Sequence, residues 1–93
     1  MKASLVFGSQ SDKLVYEPLL ENLSKVLTVD FKVLSAHRNP QELKDYMDNI
    51  DSDVFIGGAG LAAHLPGVMA SLTDRPVFGI PVGAHLGGLD AYF

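Results

Sequence analysis

Hydrophobic positions along this chain alternate between two periods. Ala3-Ser4-Leu5-Val6-Phe7 is a short apolar run closed by Gly8, the pattern of a buried strand. After it the spacing turns helical: Leu14, Val15, Leu19, Leu20, Leu23, Val26 and Leu27 fall three and four residues apart, with Asp12 expected as the cap. Pro18 cannot donate the usual helix bond, which predicts a kink or a restart there. Val29, Phe31 and Val33 alternate through a second strand ending at Ser35. Asn39-Pro40 with Glu42 three residues after the asparagine reads as a capped helix start, and Leu43, Tyr46, Met47 and Ile50 then share one apolar face. Asp53 to Gly57 is the third strand, followed by a glycine loop and a short helix through Val68, Met69 and Leu72. Pro76 to Ile80 is the fourth strand, and Gly87 to Phe93 looks like the opening turn of another helix.

Strand starts near positions 3, 29, 53 and 76 recur at roughly 25 residues, an interval that suits βαβ units in a parallel sheet. The expected fold is therefore α/β, with residues 1–93 forming one domain. Ninety-three residues bury only about 60–65% of the unfolded surface, so such a fold is marginal on its own. The chain stops as its last element begins, leaving Leu89, Tyr92 and Phe93 without a following partner, the mark of a piece of a larger domain.

Composition narrows the function. With 47% hydrophobic and 19% charged residues and a mean hydropathy of +0.20, wholesale disorder is disfavoured. A net charge of −4 disfavours a general nucleic-acid or anionic-membrane surface, while leaving room for one local anion site. Cysteine is absent, which removes disulfides, a thiolate nucleophile and a cysteine zinc site. His37, His64 and His85 lack the spacing of a helical metal pair. The apolar stretch before Gly8 is too short for a signal peptide. The uncharged segment Val54 to Thr73 is interrupted by Gly57, Gly58, Gly60, Pro66 and Gly67, which argues against a spanning helix. A cytoplasmic enzyme or binding module is the expectation.

Small and polar residues collect after each strand: Gly8-Ser9-Gln10-Ser11-Asp12, Ser35-Ala36-His37-Arg38-Asn39-Pro40, Gly57-Gly58-Ala59-Gly60, and Gly83-Ala84-His85-Leu86-Gly87-Gly88. Ligands of open α/β sheets bind outside the carboxyl ends of the strands, so these loops are expected to converge on one crevice. Glycines permit close backbone approach and Arg38 offers a forked donor suited to phosphate, implying a small phosphorylated metabolite. His37, between a strand and a capped helix, can act as both acid and base. Each feature also has a plain structural reading. Gly-Ser-x-Ser-Asp serves equally as a tight turn with a helix cap. His64 lies in an apolar context where a buried, hydrogen-bonded histidine is ordinary, and His85 is uninformative. Gly58 to Ala63 fits a relaxed dinucleotide fingerprint, but Pro66 interrupts the helix and the next strand ends Ile80-Pro81 without the required acid.

Gly8-Ser9-Gln10-Ser11-Asp12, Ser35-Ala36-His37-Arg38-Asn39-Pro40, Gly58-Ala59-Gly60-Leu61-Ala62-Ala63-His64-Leu65-Pro66-Gly67 and Gly79-Ile80-Pro81-Val82 stand in the order and approximate spacing of the PurE family, which the chain resembles over essentially its whole length. That family comprises the N(5)-carboxyaminoimidazole ribonucleotide mutases (class I), also called the catalytic subunit of phosphoribosylaminoimidazole carboxylase. The resemblance implies a flavodoxin-like three-layer fold, a homo-octamer, a ribonucleotide substrate and no cofactor. It implies movement of a carboxylate from the exocyclic nitrogen to ring carbon C4 of the aminoimidazole ribonucleotide. Carried over by motif, His37 matches the catalytic histidine of S-A-H-R. Ser9, Ser11 and Asp12 match the ribonucleotide-binding turn, and Ser35 and Arg38 the phosphate contacts. Gly58, Ala59, Gly60 and His64 match the loop over base and carboxylate. Leu61 departs from the family's further glycine, and Val82 to Leu86 is a residue short. The family's fifth strand and C-terminal helices do not appear in the 93 residues, so a truncated product is expected. Two alternatives stand beside this reading: the sister carboxylase class, which takes free carbon dioxide, and a non-catalytic nucleotide-binding fragment. Arg38 and His64 favour the mutase, because the sister class departs from both motifs.

Overall fold

A computed structural model describes residues 1–59 and 64–81. Four strands form one parallel sheet: β1 (Lys2–Phe7), β2 (Thr28–Val33), β3 (Val54–Ala59) and β4 (Val77–Pro81), in the order β2-β1-β3-β4. Three helices connect them: α1 (Lys13–Ser24), α2 (Pro40–Asn49) and α3 (His64–Ser71). The four expected strands and the three helices expected between them form. Among the described residues, no helix is long and apolar enough to cross a membrane.

β1 is central and buried from Ala3 to Phe7, because helices cover both of its faces. Leu5 and Phe7 point to one side and pack with Tyr16, Leu19 and Leu20 of α1 and with Val29, Phe31 and Val33 of β2. Val6 points to the other side, where Leu43 and Met47 of α2, Phe55 of β3 and Leu65 and Met69 of α3 close around it. Fully burying side chains such as Phe7, Phe55, Leu5 and Leu43 contributes about 1.5–3 kcal/mol each. Phe7, Tyr16 and Phe31 stack in tilted pairs with ring centroids 5.3 and 4.7 Å apart.

A polar chain crosses the second layer. Buried Ser4 lies 2.6 Å from Ser52 Oγ and 2.8 Å from the Tyr46 hydroxyl, which donates to Asp30 on β2. Tyr46 has one proton and a carboxylate only accepts, so Asp30 takes that proton and Ser4 supplies its own to Tyr46. Ser4 is thereby satisfied at zero exposure.

Several expectations are corrected. Of the two outcomes expected at Pro18, a kink or a restart, the restart does not occur, and α1 runs on through the proline. Pro18 is exposed, so the Leu14 carbonyl that its missing N–H leaves unpaired lies on the solvent side. Leu14, Val15 and Val26 are exposed rather than core, and the face of α1 turned inward carries Tyr16 instead. Asp12 makes no side-chain cap bond; a 3₁₀ turn, Gln10–Asp12, precedes α1 and is capped by Ser9, whose Oγ accepts from the Ser11 amide at 3.1 Å. Asn39 likewise makes no cap bond to α2. The glycine loop starts later than expected, since Gly58 and Ala59 belong to β3. Leu61, Val82 to Leu86, His85 and the expected turn from Gly87 to Phe93 lie outside the described residues.

Candidate functional site

β1 feeds β2 on one side of the sheet, and the chain then crosses back over β1 to place β3 on its other side. That reversal is where open α/β sheets leave a crevice at the strand carboxyl ends. Backbone bonds draw three strand ends together: the Gly8 amide donates to the Gly58 carbonyl at 3.0 Å, and the Leu34 amide to the Phe7 carbonyl at 2.9 Å.

The loop after β2 is tightly organised around Ser35. Its Oγ accepts the His37 and Arg38 amides at 3.2 and 3.1 Å. Its own amide donates to Asn39 Oδ1 at 3.2 Å, and the Asn39 amide donates back to the Ser35 carbonyl at 2.8 Å. The turn thus arches His37 and Arg38 outward, and both are exposed. Arg38 Nη2 then reaches the Gly8 carbonyl at 3.1 Å, bridging the loops after β1 and β2.

Between these loops is an open hollow of about 340 Å³, lined by Ser9, Gln10, Val33, Arg38 and Asn39. A guanidinium fork, a serine hydroxyl and two amide side chains supply donors for an anion carrying several acceptor oxygens. Ser9 also meets the Ser11 hydroxyl at 2.8 Å, so both serines belong to one local turn. Asp12 stands at the entry to α1, where partial burial pushes its carboxyl above the usual range.

Of the residues expected to form the site, the structure brings Ser9 and Arg38 to one wall, with Ser11 bonded to Ser9 and Ser35 beneath Arg38. His37 shares the Arg38 loop but does not line the hollow. Gly58 and Ala59 end β3, and His64 begins α3. Gly60 lies outside the described residues. Gly58 has a packing role: a Cβ there would stand 2.3 Å from Phe7 Cε2. Gly57, on the opposite face, would meet Met69 Sδ at 2.8 Å and Pro66 at 3.4 Å. Both glycines therefore admit neighbouring side chains within the core. Gln10, Val33 and Asn39 were not singled out as site residues from sequence. Asn39 carried a misleading signal, because Asn before Pro reads as a helix cap whichever way its amide turns.

The sequence pattern of the AIR carboxylase family matches residues 2–93. The chain is 49% identical over 89 residues to an N5-carboxyaminoimidazole ribonucleotide mutase of Methanocaldococcus jannaschii, covering 94% of this chain and 56% of that protein. It is 43% identical over 99 residues to the mutase of Pyrococcus abyssi, covering 97% of this chain and 55% of the relative. The chain thus spans about half the length of these relatives. The crystal structure of Treponema denticola PurE superposes with a TM-score of 0.79 over 98% of this chain and 61% of that one. At 22% identity, this likeness establishes the α/β fold.

Proposed function

The chain belongs to the AIR carboxylase family, and on that premise we propose that it carries the ribonucleotide site of an N5-carboxyaminoimidazole ribonucleotide mutase. Residues 1–93 act as part of one ribonucleotide-binding domain in a cytoplasmic homo-oligomer. The observation that carries this reading is the Arg38 fork held over the Ser9 turn, in a hollow at the carboxyl ends of β1 and β2. A sugar phosphate is the ligand whose charge and geometry such a group matches.

In this reading Arg38, with Ser9 and Ser11, anchors the ribonucleotide phosphate, and Asp12 receives the ribose hydroxyls. Gly58, Ala59, Gly60 and His64 border the base. His37 gives a proton to the exocyclic nitrogen as its bond to the carboxyl carbon breaks, releasing carbon dioxide and the free amine. The amine-activated C4 then attacks the carbon dioxide, forming the carbon–carbon bond. His37 takes the proton that C4 must lose, so protons balance over the cycle and no cofactor is consumed. Recapture at C4 requires water to be kept out while carbon dioxide is free.

Binding without catalysis is the second reading, favoured by one observation: the hollow's wall includes Arg38 and Ser9 but not His37. An absorbance assay with the carbamate substrate, run beside ribonucleotide binding on the same chain and on His37→Asn, separates the two. Turnover by the parent, lost in His37→Asn with binding retained, supports the mutase. Binding without turnover in the parent supports the second reading, and failure to bind the ribonucleotide overturns both.

A further inference from the structure

We infer that Asn39 is a positioning residue, fixing where the Arg38 fork and the His37 ring stand by closing the loop beneath them. The inference rests on the proposed site only for what those two residues bind.

Asn39 is the point where the loop meets the core. Its carbonyl accepts the Leu43 amide at 2.9 Å, the first bond of α2, and Leu43 is fully buried against Val6 and Phe55. From this anchor its amide oxygen turns back to the loop rather than capping the helix. Oδ1 accepts the Ser35 amide at 3.2 Å, while the Asn39 amide donates to the Ser35 carbonyl. The two residues therefore hold each other at both ends of the loop, and the Ser35 hydroxyl inside it holds the amides of His37 and Arg38. Nδ2 faces Glu42 Oε1 at 3.4 Å, which orients the amide with Oδ1 toward Ser35.

A cap residue at this position would spend its side chain on the helix. Here Asn39 makes no such bond to the amides of the first turn of α2, and its oxygen is given to the loop instead. Without that oxygen the Ser35 amide loses its partner, and the base of the arch loosens. Arg38 then no longer meets the Gly8 carbonyl and the phosphate space in one geometry.

The test is amide hydrogen exchange and side-chain NMR on the full chain, with Asn39→Leu, Asn39→Ser and Asn39→Asp, using ribose 5-phosphate as the probe. Serine keeps a helix-start residue but is too short to reach the Ser35 amide, so it covers the case in which leucine unfolds the chain. In leucine or serine variants, exchange at Ser35, His37 and Arg38 rises about tenfold, the size expected for one lost hydrogen bond, with core amides at Leu5 and Val6 unchanged. The Arg38 Nε–H resonance broadens or shifts, and probe affinity falls by a similar factor. Aspartate restores Ser35 protection because its oxygen still accepts. If the parent fails to bind the probe, the ribonucleotide reading fails while the exchange and Nε–H arms still decide the role of Asn39. Unchanged Arg38 signals in Asn39→Ser, with the core intact, overturn the inference.

Discussion

The Arg38 guanidinium donates to the Gly8 carbonyl across 30 positions of sequence, tying the loop after β2 to the loop after β1. One of the fork's five N–H donors is used in this way, which aims the others at the hollow. Lysine would keep the charge but lose the planar fork. Arg38→Lys should weaken ribose 5-phosphate binding about tenfold by calorimetry, with stability changed by no more than about 0.5 kcal/mol because the side chain is exposed. Unchanged affinity would show that charge alone recruits the anion.

Three glycines respond differently to the same methyl group. Gly58→Ala should cost about 1–3 kcal/mol or more, since the Phe7 ring is already packed at 2.3 Å from the new carbon and closed in by Tyr16. Gly57→Ala should cost less, because a methionine sulfur can give way. Gly67→Ala, on the exposed side of α3 with nothing within 4 Å, should stabilise by about 0.4–1 kcal/mol. Urea unfolding of the three variants gives the ranking, and equal losses at Gly58 and Gly67 would refute it.

Tyr46 links α2 to the two strands it covers. Tyr46→Phe leaves the packing ring but removes the proton that Asp30 accepts and the partner of Ser4, and should cost about 1–3 kcal/mol in urea unfolding. Ser4 keeps its bond to Ser52, which limits the loss.

Alkali provides an independent check on the same hydroxyl. Burial and the neighbouring Asp30 carboxylate push its pKa well above the ordinary 10.0. The unfolded chain therefore ionises first: this group's stabilisation is whole below pH 10.0 and is lost as pH rises toward the folded value. Melting temperatures taken from about pH 9 to about pH 12 should fall more steeply for the parent than for Tyr46→Phe. Parallel curves would mean that the hydroxyl ionises equally in both states.

Much of this architecture is readable from residue order. Val29, Phe31 and Val33 do share a face, as do Leu43, Tyr46, Met47 and Ile50, because side-chain direction follows from the local backbone period. Helix α1 misleads for the opposite reason. Leu14 and Val15 fit an apolar stripe as well as Tyr16 does, yet only the packing partners Phe7 and Phe31 decide which stripe turns inward. Gly58 is similar: glycine after a strand suggests room for a ligand, whereas the occupant is an aromatic ring from a strand 51 residues earlier.

Residue order by itself determined the alternation of strands and helices and the gathering of polar, glycine-rich segments after each strand, since both depend on neighbours a few positions apart. Tertiary structure alone decided the order β2-β1-β3-β4, the arch closed by Ser35 and Asn39, and the meeting of Arg38 with Gly8. Those relations join distant parts of the chain. They form only when burial of the two apolar layers brings β1 between β2 and β3 and leaves specific donors facing specific acceptors across the gap.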